Sequence, residues 1–166
     1  MPEPARFAVD GRAEIAAVVV TYGSAECLDP LLADLRAEAA GLALRVIIAD
    51  NSPTDETLAV ARRHADVIAV PTGGNLGYAG GVNVGLAHAG DAETVAVLNP
   101  DLRLRPGALT AMLAELRADP RRGVVVPRIV DETGATTTSL FREPTALRAL
   151  GDALLGRMWG SRPAGL

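Results

Sequence analysis

The sequence predicts an α/β domain with a mostly parallel sheet and helices on both faces of that sheet. Three apolar runs, IAAVVVT, LRVIIA and TVAVL, are rich in β-branched residues and are typical of strands buried on both faces. Stretches with helical spacing separate these runs, so strands and helices alternate along the chain. Repeated strand–helix–strand units imply parallel pairing through right-handed crossovers. We therefore expect a Rossmann-like sheet in a chain whose 166 residues suit one domain of ordinary size.

The bounds of the elements follow from where apolar patterning begins and where Gly, Pro or capping residues interrupt it. Strands are expected at 15–21, 44–49, 67–70, 94–98 and 124–126. Helices are expected at about 28–40, from Thr54 or Asp55 to about 64, at 79–89 and at 106–118. Gly41 suits the end of the first helix, and Pro106 suits the first helical position of the last.

Three parts of the chain differ in composition. Residues 1–14 are polar and hold two prolines and a glycine, so they are predicted to form a flexible leader. Residues 15–143 carry the strand–helix alternation, with a turn at 131–134, and form the α/β domain. Residues 144–166 show helical spacing of leucines and are predicted to be a helical tail.

Composition excludes several classes of protein. All sixteen basic residues are Arg, so a Walker P-loop, a pyridoxal-phosphate enzyme and a protein kinase are excluded, because each needs a particular Lys. A net charge of −4 and 3% aromatic residues argue against nucleic-acid binding. The single cysteine, Cys27, is expected to be a small buried hydrophobe in a reducing compartment. No signal peptide or bilayer-length apolar run is evident, so we expect a soluble, cytoplasmic protein.

Small polar and acidic residues follow four of the predicted strands. They are Thr21 and Tyr22 after the first strand, Asp50 after the second, the run GGNLGYAGGVN at 73–83 after the third, and Asn99 and Asp101 after the fourth. In an open α/β sheet, ligands bind beyond the carboxyl ends of the strands. We therefore expect a binding site at that edge of the sheet.

Each of these features allows two interpretations. Asp50 could accept a hydrogen bond from a base or a ribose, or it could form an Asx-turn with its own loop. The glycines could let a ligand approach the backbone, or they could serve tight packing of a helix on the sheet. Asp101 follows a proline and suits Mg²⁺ or Mn²⁺, although a lone Asp after a strand is often only a turn residue. Asp55 is expected to cap a helix.

Other catalytic patterns are weak or missing. The glycines form no G-x-G-x-x-G and follow the third strand, which disfavours a dinucleotide-binding dehydrogenase. The sequence contains no G-x-S-x-G and no H-E-x-x-H. His64 and His88 have no partner acid nearby in the sequence and are expected to be surface residues. Arg142 could reach a diphosphate or pair with Glu143.

Four segments, taken in order, resemble family 2 glycosyltransferases of the GT-A type, in their rhamnosyltransferase-like branch. The segments are VVVTYGS at 18–24, IIADNSPTDET at 47–57, NLGYAGGVNVGL at 75–86 and VAVLNPDLRLRPGAL at 95–109. The resemblance runs from about residue 15 to residue 143 and implies a nucleotide-activated sugar donor, transferred with inversion of its anomeric centre. The sequence departs from many relatives at Gly23, where they have Asn, and at Asn99, which replaces the first Asp of their D-x-D element.

The resemblance also implies roles for particular residues. Thr21, Tyr22 and Asp50 would line the pocket for the nucleotide base and ribose. Members of the glycine-rich segment would close over the donor: Asn75, Gly77, Gly81 and Asn83. Asn99 and Asp101 would stand for the D-x-D element, with Asp101 holding Mg²⁺ or Mn²⁺ against the donor diphosphate.

The resemblance further implies a dTDP- or UDP-sugar as partner and a glycan or lipid-linked acceptor, which leaves open peripheral association with the inner face of the membrane. Relatives carry an acidic catalytic base, usually in a Glu-Asp pair, and no such pair follows Asp101. We therefore interpret the chain as a donor-binding half that is inactive alone, and an exposed sheet edge would favour a homodimer. The alternatives are a non-catalytic nucleotide-sugar-binding module or partner subunit and, less favoured, a nucleotidyltransferase.

Overall fold

The structure is a computed structural model that describes residues 5–131 and 133–136. Its eight elements alternate as the sequence predicts: β1 (Ile15–Thr21), α1 (Ala25–Ala39), β2 (Leu44–Asp50), α2 (Glu56–Ala61), β3 (Ile68–Pro71), α3 (Gly77–Leu86), β4 (Thr94–Leu98) and α4 (Ala108–Ala118). The predicted helical tail and Arg142 lie outside the described residues. The chain divides into two compact units, of which the first ends at Val126 and the second begins at Pro127. The predicted domain end at 143 lies outside the described residues.

The predicted parallel sheet is confirmed. Its four strands have the order β3-β2-β1-β4, and all three pairings are parallel. Every residue of β1 and β2 is buried, as expected for central strands covered on both faces. Leucines of α1 and α4, among them Leu28, Leu35 and Leu113, pack on one face of these strands. Helix α3 covers the other face, where Val18 and Ile47 are fully buried.

The two outer strands are less buried than their sequence suggests. The apolar run of β4 predicts cover on both faces, but Val95 and Val97 are 40% and 45% exposed. The reason is that α3 packs on β1 and β2, so the alternate residues of β4 have no helix over them in the described part of the chain. The predicted strand at 124–126 is wrong, because Val124 and Val126 are exposed and pair with no strand. The three valines at 124–126 have high β-propensity, but a strand also needs a neighbouring strand with which to form hydrogen bonds.

Helix bounds differ from the predicted ones by a few residues, as end positions usually do. Helix α1 begins three residues earlier, and α3 begins at Gly77 and ends at Leu86. Pro106 lies before α4, which has Gly107 at its N-cap with a φ of 80°. Asp55 occupies the N-cap position of α2, but its carboxylate pairs with Arg62 at 2.7 Å and makes no capping hydrogen bond. Cys27 is half-buried and not fully buried.

Residues 5–14 of the predicted leader include two that make specific contacts with the rest of the first unit, Phe7 and Ala8. The ring of Phe7 is buried in the core, and the guanidinium of Arg36 lies 4.3 Å from its centroid. Asp66 accepts two hydrogen bonds from Arg36, at 2.7 and 2.8 Å, and one from the backbone N–H of Phe7 at 2.9 Å. The Ala8 N–H donates to the carbonyl of Leu44. The mostly polar composition of the leader did not indicate that Phe7 is buried or that the backbone of Phe7 and Ala8 makes these hydrogen bonds.

The second unit is described only in part, at 127–131 and 133–136. Val130 and Thr136 form an isolated antiparallel bridge. Between them, the Asp131 carboxylate accepts hydrogen bonds from the N–H groups of Thr133 and Ala135. These bonds confirm the predicted turn at 131–134.

Replacing Asp66 by Asn should destabilise the chain in a pH-dependent way. The Arg36 guanidinium and the Phe7 N–H hold the pKa of Asp66 well below its usual range. A lowered pKa in the folded state stabilises at pH values above the unfolded pKa of about 4, and the effect is lost as pH falls through the folded value. We expect Asp66→Asn to lower the free energy of unfolding by about 1.5–3 kcal/mol at pH 7.

Urea unfolding at pH 7 and pH 3 tests this expectation, since the deficit should shrink at pH 3. Asp55→Asn is the matched control, because its pair with Arg62 is exposed and is worth about 0–1 kcal/mol. Equal stability of Asp66→Asn and the unmodified chain at pH 7 would contradict the assignment.

Candidate functional site

Thr21 and Asp50 lie side by side at the carboxyl edge of the sheet. They are the last residues of β1 and β2 and face each other in the pairing of these strands. The Thr21 hydroxyl donates to Asp50 Oδ1 at 2.8 Å. Both residues are buried, with exposures of 1% and 2%. The fold thus places a carboxylate, with an oriented hydroxyl beside it, where open α/β sheets bind ligands.

The two oxygens of Asp50 have different surroundings. Oδ1 accepts hydrogen bonds from Thr21 Oγ1, from Ser52 Oγ at 2.6 Å and from the Ser52 N–H at 3.3 Å. Oδ2 is buried and has no partner, and it is alone in this among the buried side-chain nitrogen and oxygen atoms of the described residues. A buried carboxylate oxygen without a donor is costly. The Asx-turn contact to Ser52 therefore exists, but it leaves half of the carboxylate able to accept a ligand N–H or O–H.

A second polar group beside Asp50 connects β2, the residues after β3 and the start of α3. Asn51 Nδ2 donates to the carbonyl of Gly77 at 3.0 Å. Thr72 Oγ1 lies 2.8 Å from Asn51 Oδ1, and the Thr72 N–H donates to the carbonyl of Asp50. These contacts fix the glycine-rich segment relative to Asp50. Sequence reasoning did not single out Thr72, and a threonine directly after a short strand carries no local signal for this role.

Residues 75–79, near the start of the glycine-rich segment, are all exposed. Asn75 Oδ1 accepts the N–H of Gly77, which has a φ of 71° that only glycine adopts readily. Leu76 and Tyr78 are about half exposed beside them, and Tyr22 is 59% exposed after β1. Partial burial raises the pKa of the Tyr78 phenol, so it stays neutral. This part of the edge therefore presents aromatic and amide groups to solvent.

Gly81 serves close packing of α3 on the sheet. A Cβ at Gly81 would lie 2.6 Å from Val20 Cγ1, and one at Gly85 would lie 2.4 Å from Val18 Cγ1. Both contacts are too short for any side chain, so α3 can approach β1 only through glycine. The packing interpretation of these glycines thus has direct support. Asn83 lies on the same helix, is exposed, and makes no side-chain hydrogen bond within the described residues.

Asn99 and Asp101 follow β4 at the same edge. Pairing with β1 ends at Leu98 opposite Val19, and both polar residues are exposed. Within the described ranges, the side chain of Asp101 makes no hydrogen bond or ion pair, and no hydrogen bond joins it to the Asp50 group. Those ranges also hold no cluster of three or more His, Cys, Asp or Glu that could bind a metal alone. One free carboxylate fits Mg²⁺ or Mn²⁺ that shares its coordination with substrate phosphates and water.

His64 has a partner acid that the sequence did not indicate. His64 Nε2 lies 3.0 Å from Asp29 Oδ1, so this histidine does have a partner acid. Asp29 also accepts from Arg63 at 2.9 Å, and the group joins α1 to the end of α2. The acid lies thirty-five positions before His64, so no local pattern could reveal it.

A family model described as "Glycosyl transferase family 2" matches residues 16–160 of this chain. The chain belongs to glycosyltransferase family 2. The chain is similar in sequence to two proteins, the N-acetylglucosaminyl-diphospho-decaprenol L-rhamnosyltransferase of Mycobacterium tuberculosis and the low-salt glycan biosynthesis hexosyltransferase Agl10 of Haloferax volcanii. The first is 36% identical over 88% of this chain and 51% of the relative. The second is 30% identical over 90% of this chain and 48% of the relative.

Solved structures of similar proteins confirm the GT-A type of fold for this family 2 glycosyltransferase chain. The mannosyltransferase PcManGT of Pyrobaculum calidifontis, solved in complex with GDP-Man and Mn²⁺, has a TM-score of 0.56 and 26% identity over 71% of this chain and 36% of its own. Residues 1–349 of TarS from S. aureus have a TM-score of 0.55 and 20% identity over 69% and 38%. The chain spans about half the length of the two relatives in sequence. Across the described residues, no helix combines the length and apolarity that crossing a bilayer requires.

Proposed function

We propose that this family 2 glycosyltransferase chain binds a nucleotide-diphosphate sugar, and that the whole protein transfers the sugar to a glycan or lipid-linked acceptor. The observation that carries the proposal is the unpartnered, buried Oδ2 of Asp50 at the carboxyl edge of the sheet. Uracil and thymine present an N–H and ribose presents hydroxyls, and either group would satisfy that oxygen. The sequence similarity to a rhamnosyltransferase and a hexosyltransferase supports the same substrate class.

The nucleoside would lie between the residues that follow β1 and β2. Thr21 donates a 2.8 Å hydrogen bond to Asp50 Oδ1, so the carboxylate is held in place before the ligand arrives. Tyr22 is exposed beside this pair and offers an aromatic face to the base. The Asn51–Thr72 contacts hold the segment with Asn75 and Gly77 nearby, where polar groups could meet the sugar diphosphate.

Asp101, with Asn99 before it, is the residue that would hold a divalent cation. When bound, Mg²⁺ or Mn²⁺ neutralises negative charge on a diphosphate, which favours its departure from the sugar. The Asp101 carboxylate would supply one oxygen to the cation, and its exposure after β4 leaves it available. The PcManGT complex contains Mn²⁺ and a nucleotide-sugar, which supports this combination of ligands. We propose inverting transfer, in which the acceptor attacks opposite the departing diphosphate.

Calorimetric titration with UDP and with dTDP, each with and without Mn²⁺, tests the proposal. We expect one of the nucleotides to bind and Mn²⁺ to increase its affinity. We expect Asp101→Ala to bind the nucleotide alone as the unmodified chain does, and to lose the increase that Mn²⁺ brings, because the cation loses its protein oxygen.

Asp10→Ala is the matched control, since Asp10 is an exposed aspartate in the leader. If the folded chain binds neither nucleotide, the proposed function fails. If Asp101→Ala keeps the full response to Mn²⁺, the cation site lies elsewhere. Sugar transfer by this chain alone would exclude the alternative of a non-catalytic binding module.

A further inference from the structure

The segment that carries Asp101 contains no helix or strand between β4 and α4, and polar groups of α1 hold it. Asp34 makes the first of these contacts. Asp34 Oδ2 accepts from Arg103 Nε at 2.7 Å, and Oδ1 accepts from the second Arg103 nitrogen at 2.8 Å. The Leu104 N–H also donates to Asp34 Oδ2 at 3.0 Å. This is a two-pronged carboxylate–guanidinium pair with an added backbone contact, which is a geometrically specific arrangement.

Glu38 binds the end of the same segment one helical turn later on α1. It is 4% exposed, and its two carboxylate oxygens accept the N–H groups of Gly107 at 2.5 Å and Leu109 at 3.0 Å. These N–H groups belong to the start of α4, which has no side-chain cap of its own. A carboxylate at this position satisfies free N–H groups and interacts favourably with the helix dipole. Two acids on one face of α1 therefore anchor residues 103–109.

We propose that Asp34 is a positioning residue for Asp101. Asp34 fixes Arg103 and Leu104, which are two and three positions after Asp101, so it limits where the Asp101 carboxylate can lie. The inference rests on the proposed function, because it concerns how Asp101 meets a cation. Residues that orient a metal ligand from outside the coordination sphere affect metal affinity even though they do not touch the metal.

The two partners of the Asp34–Arg103 pair differ in exposure. The side chain of Asp34 is 14% exposed, whereas that of Arg103 is 68% exposed. The hydrogen bonds from Arg103 and Leu104 hold the pKa of Asp34 below its ordinary value, so it remains a carboxylate across the neutral range. Leu102 and Leu104 pack partly buried against the core on either side of Arg103. The two leucines thus hold the segment against the core, and Asp34 holds the Arg103 side chain and the Leu104 backbone in place.

The test compares Asp34→Asn with Asp29→Asn. Asp29 is also an aspartate of α1 paired with an arginine, but its partner is Arg63 and it does not touch the Asp101 segment. The readouts are the apparent Mn²⁺ affinity at saturating UDP or dTDP, the nucleotide affinity without metal, and amide hydrogen exchange of residues 102–110. We expect Asp34→Asn to weaken apparent Mn²⁺ affinity about tenfold, leave metal-free nucleotide affinity unchanged and speed exchange in that segment. Asp29→Asn should change none of the three.

Arg103→Gln provides a second variant, since Arg103 is exposed and its loss should not prevent folding. It should reproduce the drop in apparent Mn²⁺ affinity. Mn²⁺ affinities that match those of Asp29→Asn in both variants would overturn the positioning role while the proposed function stands. A chain that binds nucleotide with no response to Mn²⁺ overturns the positioning role and the cation site together. A chain that binds no nucleotide removes the proposed function itself.

Discussion

Replacing Arg45 by Met should lower the free energy of unfolding by about 3 kcal/mol or more, the largest loss of stability that we expect from one substitution. Arg45 is 5% exposed and lies near the amino end of the central strand β2. Its guanidinium donates to the carbonyls of Ala89 at 2.5 Å, Gly11 at 2.6 Å and Ala8 at 3.3 Å. Met preserves the apolar stem but leaves these three acceptors without a donor.

The charge of Arg45 is balanced mainly by backbone dipoles. The nearest carboxylate oxygen, on Asp91, is 3.9 Å away and belongs to a side chain that is 66% exposed. Two carbonyls from the leader and one from the loop after α3 therefore accept hydrogen bonds from one cation, which ties both segments to β2. Arg45→Lys should fall between the wild type and Met, because one ammonium cannot span all three carbonyls.

Urea unfolding monitored by circular dichroism measures these differences. Arg62→Met is the matched control, because Arg62 is half exposed and its pair with Asp55 is worth about 0–1 kcal/mol. If Arg45→Met unfolds at the same urea concentration as the wild type, the three carbonyls must be satisfied by water after the substitution. The anchoring role of Arg45 would then be wrong.

Asp50→Asn should weaken binding of UDP or dTDP by about 10–150-fold, with and without Mn²⁺, the largest effect on binding that we expect. Asn keeps the size of the side chain, and its oxygen can still accept from Thr21 and Ser52. Its amide nitrogen takes the place of Oδ2 and is a donor, so it cannot accept a hydrogen bond from the N–H or O–H of the ligand. We expect the loss to be independent of the cation, because the proposed function assigns Asp50 to the nucleoside and Asp101 to the diphosphate.

The same variant should be as stable as the unliganded wild type, or more stable. Asn removes the desolvation cost of a buried charge, and its amide nitrogen replaces an oxygen that already has no partner, so no hydrogen bond within the described residues is lost. Thermal unfolding without ligand and calorimetric titration with ligand measure the two effects. Asp55→Asn, an exposed acid in the same loop, is the control. A purely structural Asx-turn predicts the reverse: lower stability and unchanged nucleotide affinity.

The elements were predictable where the signal is local, and unpredictable where it is long-range. Continuous apolar runs indicate strands β1 and β2, and the predicted bounds agree with the structure to within one residue. The exposure of Val95 in β4 depends on where α3 packs, which no window of the sequence contains. The start of α4 depends on Glu38, sixty-nine positions before Gly107. Pro106 was predicted to be the first residue of the helix, but the helix begins at Ala108, next to the Gly107 N–H that Glu38 accepts.

The candidate site divides in the same way. Polar residues after parallel strands meet at one edge by topology alone, so the order of the strands and their end residues is enough to propose Thr21 and Asp50 as neighbours. The sequence does not indicate that Asp50 Oδ1 accepts several hydrogen bonds while Oδ2 accepts none, because this difference depends on the rotamer of Ser52 and on burial. Thr72 and the anchoring acid Asp34 were missed for a similar reason. Their partners are distant in sequence or are backbone groups, which leave no mark on composition or spacing.

The strand order β3-β2-β1-β4 has a consequence for how the edge is assembled during synthesis. Strand β1 is made first, and its pairing with β2 closes over a single helix, whereas its pairing with β4 closes over three helices and two strands. The entropy of loop closure and the distance along the chain both favour the nearer pairing. On a ribosome, Thr21 and Asp50 can therefore meet before Asp101 has been translated. We expect the proposed nucleoside end of the edge to form early in folding and the proposed cation end to join it last.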